Sequence, residues 1–188
     1  GRCFSLRLPE KPVRVAVVLS DVSFPPVEGL HQQSLSLVRE LHQRGVEVEV
    51  FTFGRSLDSS PDALAAHLSV PVHIPARRLK GSTLMNSMRA IMPWSRASRA
   101  VRWVSRALEV GKFDVVHVEG ALAARVHAPK TARRILSWVD LGSARYKRLS
   151  SSVSGLQRTR FVASSWLYHR VERAASKDWD TWHVVRRA

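Results

Sequence analysis

The chain has one cysteine, Cys3, in 188 residues. A lone thiol closes no internal disulfide, and no Cys/His cluster has metal-ligand spacing. A disulfide scaffold and a structural metal are therefore not expected, and a reducing compartment is. No apolar run approaches the ~18 residues needed to span a bilayer. The N-terminus lacks the apolar core of a signal peptide, so the expected location is cytoplasmic. Glycine is sparse where nucleotide-binding loops need it. Between Ser20 and His31 only Gly29 is present, which excludes both G-x-G-x-x-G and a phosphate-gripping P-loop at that place. No Ser-His-Asp or Cys-His arrangement stands out. Acids are scarce as well: 15 Asp and Glu face 30 Lys and Arg, for a net charge of +15, and none lies between Ala76 and Leu108. Such a balance attracts polyanions, whether nucleic acid, anionic headgroups or phosphorylated substrates. Arg-rich composition alone would produce the same number.

What is present suits a globular domain of ordinary size, because 45% of residues are hydrophobic and a core of that extent opposes disorder. Residues 1–12 read as a loose arm. Val13–Ser20 (VRVAVVLS) is a nearly unbroken β-branched run, the pattern of a strand buried on both faces. Leu35, Val38 and Leu41 recur at helical spacing over residues 31–44, and Gly45 stands where a C-cap glycine belongs. Val46–Phe53 reads as the second strand and Val70–Pro75 as a short third, with a short helix near Asp62–His67 between them. From Thr83 to Val110 the pattern is helical, broken at Met92-Pro93. Phe113–Val118, Arg134–Val139 and Thr181–Val185 read as three more strands, and residues 158–178 as a helix. Strands alternating with helices predict βαβ units, hence an open, doubly wound parallel α/β sheet of about six strands, Rossmann-like. Ligands of such sheets sit beyond the C-terminal strand ends.

That rule selects the candidate residues. The loop Phe24-Pro25-Pro26-Val27-Glu28-Gly29 precedes a helix. Glu28 and Gly29 could meet a ligand at the helix N-terminus, or Gly29 could simply serve a turn. His117, Glu119 and Gly120 fall at the end of the fourth strand. His117 could instead be a satisfied core histidine, whereas a buried carboxylate such as Glu119 is costly without a task. Asp140 ends the fifth strand and could act as a catalytic base, bind sugar hydroxyls or cap a helix. Arg96, Arg99, Arg102 and Arg106 share one helical face, readable as a solvated face or as an anion or membrane patch. Trp94 and Trp103 nearby suit either a core or a headgroup interface.

Taken in order, the strand, the P-P-x-x-G loop, the helix ending Arg44-Gly45, VEVEVFTFG, FDVVHVEGALAA and ILSWVDLGSARYKR resemble the N-terminal Rossmann-like domain of GT-B glycosyltransferases close to family 4, over about residues 13–186. Three positions depart from that pattern. Glu28-Gly29 replaces a double glycine, Trp138-Val139-Asp140 stands where many members carry a histidine, and Val185-Arg186 replaces a strand-ending Val-Ser. The resemblance implies the acceptor-binding half of an enzyme that moves a glycosyl group from a nucleotide-sugar to a glycan or lipid-linked acceptor. It implies retention, no metal and no cofactor beyond the nucleotide-sugar co-substrate. Asp140 would be catalytic and would line the acceptor side with its following loop, Ser143 and Arg145 included. The Gly29 loop would approach the donor phosphates or the acceptor. The family's donor-binding domain, with its Glu-x7-Glu motif, would follow Ala188, so this chain is expected to be inactive alone and peripheral on the inner membrane face at most. Two alternatives remain open: a basic, non-catalytic module for nucleic acid or anionic membrane, and the partner subunit of a split transferase. Nucleic acid is disfavoured, because no helix-turn-helix, RNA-binding or zinc signature is present.

Overall fold

A computed structural model describes residues 11–20, 22, 29–53, 61–75, 86, 96–138, 141–175 and 179–184. The described strands are β1 (Arg14–Leu19), β2 (Glu47–Thr52), β3 (Val72–His73), β4 (Val115–Glu119), β5 (Arg133–Trp138) and β6 (Thr181–Val184). All pair in parallel in the order β3-β2-β1-β4-β5-β6, as the apolar run of β1 predicts. Helices α1 (Gly29–Gln43) and α2 (Pro61–Leu68) lie among the first three strands in sequence. Helix α3 (Arg96–Gly111) precedes β4, and α4 (Gly142–Ser151) and α5 (Gly155–Ala175) form a hairpin before β6.

Period-two alternation divides β1 between two cores. Val15, Val17 and Leu19 pack with Leu35 and Val38 of α1 and Leu64 and Leu68 of α2. Ala16 and Val18 face the other way, with Ala97, Val101, Val104 and Leu108 of α3 and Val171 of α5. The apolar face expected of the arginine helix is thus buried, and Arg96, Arg99, Arg102 and Arg106 are exposed. β2 is buried more fully than its alternation suggests: Val48 and Val50 enter the first core, Phe51 and Phe53 the second. Only Glu47 of β2 is exposed.

Local signals account for the element ends. Gly45 adopts φ +78° and donates to the His42 carbonyl at 3.0 Å, while Val46 donates to Leu41 at 3.1 Å. This is the left-handed C-cap that its position predicts. At the N-terminal edge of the sheet Arg14 acts as a clasp. Its guanidinium meets Glu49 at 3.0 Å and Glu47 at 3.4 Å and lies 5.2 Å over the Phe113 ring. On the opposite flank Asp180 secures β6. Its carboxylate accepts the Arg134 backbone N–H at 2.9 Å and pairs with the Arg134 guanidinium at 2.6 Å. Those bonds hold the Asp180 carboxyl down to about 2.

Residues after β5 depart from the expected loop and form α4. Its N-cap, Leu141, has no capping side chain. The cap comes instead from Glu172 of α5, buried at 6% exposure, which accepts the Ser143 N–H at 3.1 Å and the Ser143 hydroxyl. Gly142 lies directly against Tyr168, whose Cδ1 would stand 2.4 Å from any Cβ at that position. Glu172→Ala is expected to lower stability by about 2–3 kcal/mol, because it strips a buried, hydrogen-bonded carboxylate from an uncapped helix start. Ser143→Ala, which keeps the amide bond, should lose less than half of that by urea denaturation. Equal losses would show that the amide bond contributes nothing.

Candidate functional site

Strand order reverses between β1 and β4. From β1 the chain proceeds toward β2 and β3, and from β4 toward β5 and β6. In open parallel sheets such a reversal is where the ligand crevice lies, beyond the C-terminal ends of the two strands, here β1 and β4. The floor of this crevice is stitched from both strands. The Ser20 N–H donates to the Glu119 carbonyl at 2.9 Å, and the Gly120 carbonyl accepts Ala124 N–H at 2.9 Å. The Ser20 hydroxyl accepts the Ala123 N–H at 2.8 Å, capping a short 3-10 turn at Ala123–Arg125. Gly120 adopts φ +88°, which turns the chain off β4 and onto that 3-10 turn. A Cβ there would lie 2.7 Å from Ser20 Oγ and 2.9 Å from Ser20 Cβ.

Val116 and Val118 point into the α3 core, so His117 and Glu119 lie on the opposite face, the face of α1. In register, Glu119 stands between Leu19 and Ser137, and His117 between Val17 and Ile135. Burial raises the Glu119 pKa, partly offset by a hydrogen bond from the Ser34 hydroxyl to Oε2 at 2.8 Å. Burial lowers His117 to about 4, reinforced by His183 of β6. At neutral pH His117 is thus an uncharged imidazole, and Glu119 is a carboxyl group whose charged form burial disfavours. A carboxylate of this kind can accept a ligand hydroxyl or take its proton.

Among the sequence-predicted residues, the fold brings Glu119 and Gly120 together, with His117 one pleat below. Gly29 opens α1, but no described contact joins it to Glu119. Glu28 and Asp140 lie outside the described residues. Ser143 is engaged by Glu172, and its carbonyl accepts the Ser165 hydroxyl at 2.8 Å. Arg145 is exposed on α4, and the four arginines of α3 lie on an outer helical face. Sequence reasoning missed Ser20, Ser34 and Arg125. Ser34 carried a signal: with His31 it occupies the same helical stripe as Leu35 and Val38, and both are buried. Polar side chains on a core-facing stripe need partners. Arg125, on the turn above the floor, is half-buried, and burial lowers its pKa. Its Nε has no hydrogen-bond partner among the described residues. Arg125→Met is expected to leave the melting temperature unchanged or raised, since a poorly solvated cation is removed. A drop of several degrees in a thermal melt would make Arg125 a structural residue.

Among the described residues no group of three His, Cys, Asp or Glu could hold a metal ion, and no helix is long and apolar enough to cross a membrane. The sheet, its strand order and its crevice define a Rossmann-like α/β domain. The sequence matches the model of the glycosyl transferase 4-like domain over residues 28–188, and the chain belongs to that family. Among solved structures, Acinetobacter baumannii MurG superposes with a TM-score of 0.47 at 14% identity, over 92% of this chain and 41% of that one. The chain thus spans less than half the length of that protein. No curated protein matches the sequence.

Proposed function

We infer that this domain is the acceptor-side half of a GT-B sugar transferase, and that the β1/β4 crevice is one wall of its active cleft. In this reading a glycosyl group passes from a nucleotide-sugar to a hydroxyl of a glycan or lipid-linked acceptor. Glu119 holds that hydroxyl, and the neutral His117 below it supports the pocket without adding charge. Asp140, following β5 in sequence, is the proposed catalytic carboxylate, and the Gly29 end of α1 approaches the donor phosphates. The donor itself is gripped mainly by a second domain, and neither metal nor further cofactor takes part.

One observation carries the reading: a half-buried, poorly solvated carboxyl group at the topological switch point, bonded by Ser34 on one oxygen only among the described residues. Membership in a glycosyl transferase 4-like family supports sugar transfer as its use. The test pairs turnover with binding. The 188-residue chain should not turn over UDP-glucose or GDP-mannose, and turnover would overturn the half-enzyme assignment. Methyl α-glucoside, as a hydroxyl-rich probe, should bind weakly at the crevice by NMR titration. Glu119→Gln should weaken it about tenfold, the equivalent of one charge-assisted hydrogen bond. An unchanged affinity would remove Glu119 from the site.

A further inference from the structure

The sheet face that carries Glu119 is closed on one half and open on the other. Trp138 lies in the α3 core and Trp182 packs against it. Their strand neighbours Ser137 and His183 therefore take the opposite face, that of α1. Register then sets one row at the C-terminal edge: Thr52, Leu19, Glu119, Ser137 and His183, each on the next strand. The row beneath it reads Val50, Val17, His117, Ile135 and Thr181. On β1 and β2 these positions are sealed, with Val17, Val50 and Thr52 at 0% exposure and Leu19 at 1%. From β4 outward they open. His117, Glu119, Ile135 and Thr181 are half-buried and His183 is exposed, with Ser137 the one buried member. Helices α1 and α2 pack on the sealed half, whereas α3 and α5 belong to the other core.

Composition changes with exposure. Parallel strands buried on both faces are apolar throughout, and on this side β1 and β2 contribute Val15, Val17, Leu19, Val48 and Val50. The open positions of β4, β5 and β6 are instead His117, Glu119, Ile135, Ser137, Thr181 and His183, apolar at Ile135 alone. The opposite face of the same three strands is Val116, Val118, Leu136, Trp138 and Trp182. Polarity confined to the open half marks a floor that meets polar groups. An apolar helix or a lipid tail laid there would leave these side chains without partners. A phosphate would set its charge beside Glu119, whose own charged form burial disfavours. Hydroxyls suit every group present. The carboxyl accepts them, serine and threonine both donate and accept, and a neutral imidazole does one of each. Adjacent strands lie about 4.8 Å apart, so the Glu119 and His183 backbones are separated by about 10 Å. That span is too long for one sugar ring and suits two linked rings.

We propose that the acceptor site runs from the crevice across β5 to β6 and takes an oligosaccharide of at least two sugar units. This rests on the crevice being the acceptor wall of a sugar transferase. The first unit sits at Glu119, above His117. Ser137 and His183 bond the next unit, while Ile135 and Thr181 form the floor beneath it. Ser137 and His183 are thus specificity residues, which select a glycan chain over a single sugar and take no part in the bond that forms.

The experiment titrates the 188-residue chain, followed by NMR, with methyl α-glucoside against maltotriose and with methyl α-mannoside against mannotriose. In at least one pair the trisaccharide is expected to bind about tenfold tighter than its monosaccharide, the yield of two added neutral hydrogen bonds. The amide signals of Ser137 and His183 should move with the trisaccharide and not with the monosaccharide. His183→Ala should bring the trisaccharide down to monosaccharide affinity, and Ser137→Ala should remove part of the same gain. The melting temperature of His183→Ala should not change, because that side chain is exposed. The proposal is overturned if neither trisaccharide gains over its monosaccharide, or if the gain survives in His183→Ala. Glu119→Gln separates this from the crevice reading. It should weaken monosaccharide and trisaccharide alike, and if it weakens both where no trisaccharide gain exists, the extension alone falls. If it leaves both unchanged, or if no sugar binds the wild type, the crevice reading falls and the extension with it.

Discussion

Gly120→Ala is expected to lower unfolding stability by about 2–4 kcal/mol. Two separate penalties add at this position. The backbone sits at φ +88°, a region costing a side chain roughly 1–2 kcal/mol. The new Cβ would also meet Ser20 Oγ at 2.7 Å and Ser20 Cβ at 2.9 Å. Ser20 cannot turn aside without loss, because its hydroxyl accepts the Ala123 N–H that starts the 3-10 turn. Gly45→Ala is the internal comparison. Gly45 has φ +78°, but nothing lies within 4 Å of a Cβ there, so that variant carries the backbone penalty alone. Urea denaturation should place Gly120→Ala clearly below Gly45→Ala. Equal midpoints would mean that Ser20 and Gly120 are not packed as described, and the crevice floor would have to be redrawn. The same variant should lose any ligand binding at the crevice, since it displaces the turn beside Glu119.

The second large effect is on acid stability. His117 titrates near 4 in the folded chain against an ordinary value of 6.5. A histidine with a depressed folded pKa contributes stability that is whole above about 6.5 and is lost as pH falls from there through 4. The size is at most about 3 kcal/mol, from 1.36 kcal/mol per unit. Glu119 acts in the opposite sense. Its raised pKa means that the folded state holds the proton more tightly than the unfolded state. Its contribution is therefore present below the ordinary value of 4.5 and lost as pH rises through the folded value. Between pH 7 and 4 the wild type should lose stability through His117 and regain part of it through Glu119. His117→Gln should flatten that limb by up to about 3 kcal/mol, and Glu119→Gln should steepen it. Urea midpoints measured at half-unit intervals separate the two. A His117→Gln profile parallel to the wild type would show that His117 is solvated and lies outside the buried face.

Much of this organisation was legible in the sequence. The β-branched run of β1, the helical stripe of Leu35 and Val38, and the Gly45 cap all record local periodicity, and all reappear in place. The end of β4 was legible because a carboxylate and a glycine there break an apolar pattern. The hairpin was less so. Helix α4 has no capping residue of its own at Leu141, and its cap, Glu172, lies 29 positions away. A loop was therefore the natural reading of Leu141–Tyr146. Similarly, α5 presents apolar residues on two faces, which blurs any single helical stripe, so its exposed side emerges only once α4 covers the other.

The sequence by itself determined the family, the parallel sheet, the positions of most helices and the strongly basic character. Each of these depends on composition or on patterns spanning a few residues. Tertiary structure decided which groups meet. Ser34 reaches Glu119 across 85 positions, and Ser20 supports Ala123 across 103. Such pairs follow from strand register and from which face of the sheet each side chain takes. A slip of one residue reverses that face, and no local pattern in Ser20 or Ser34 records it.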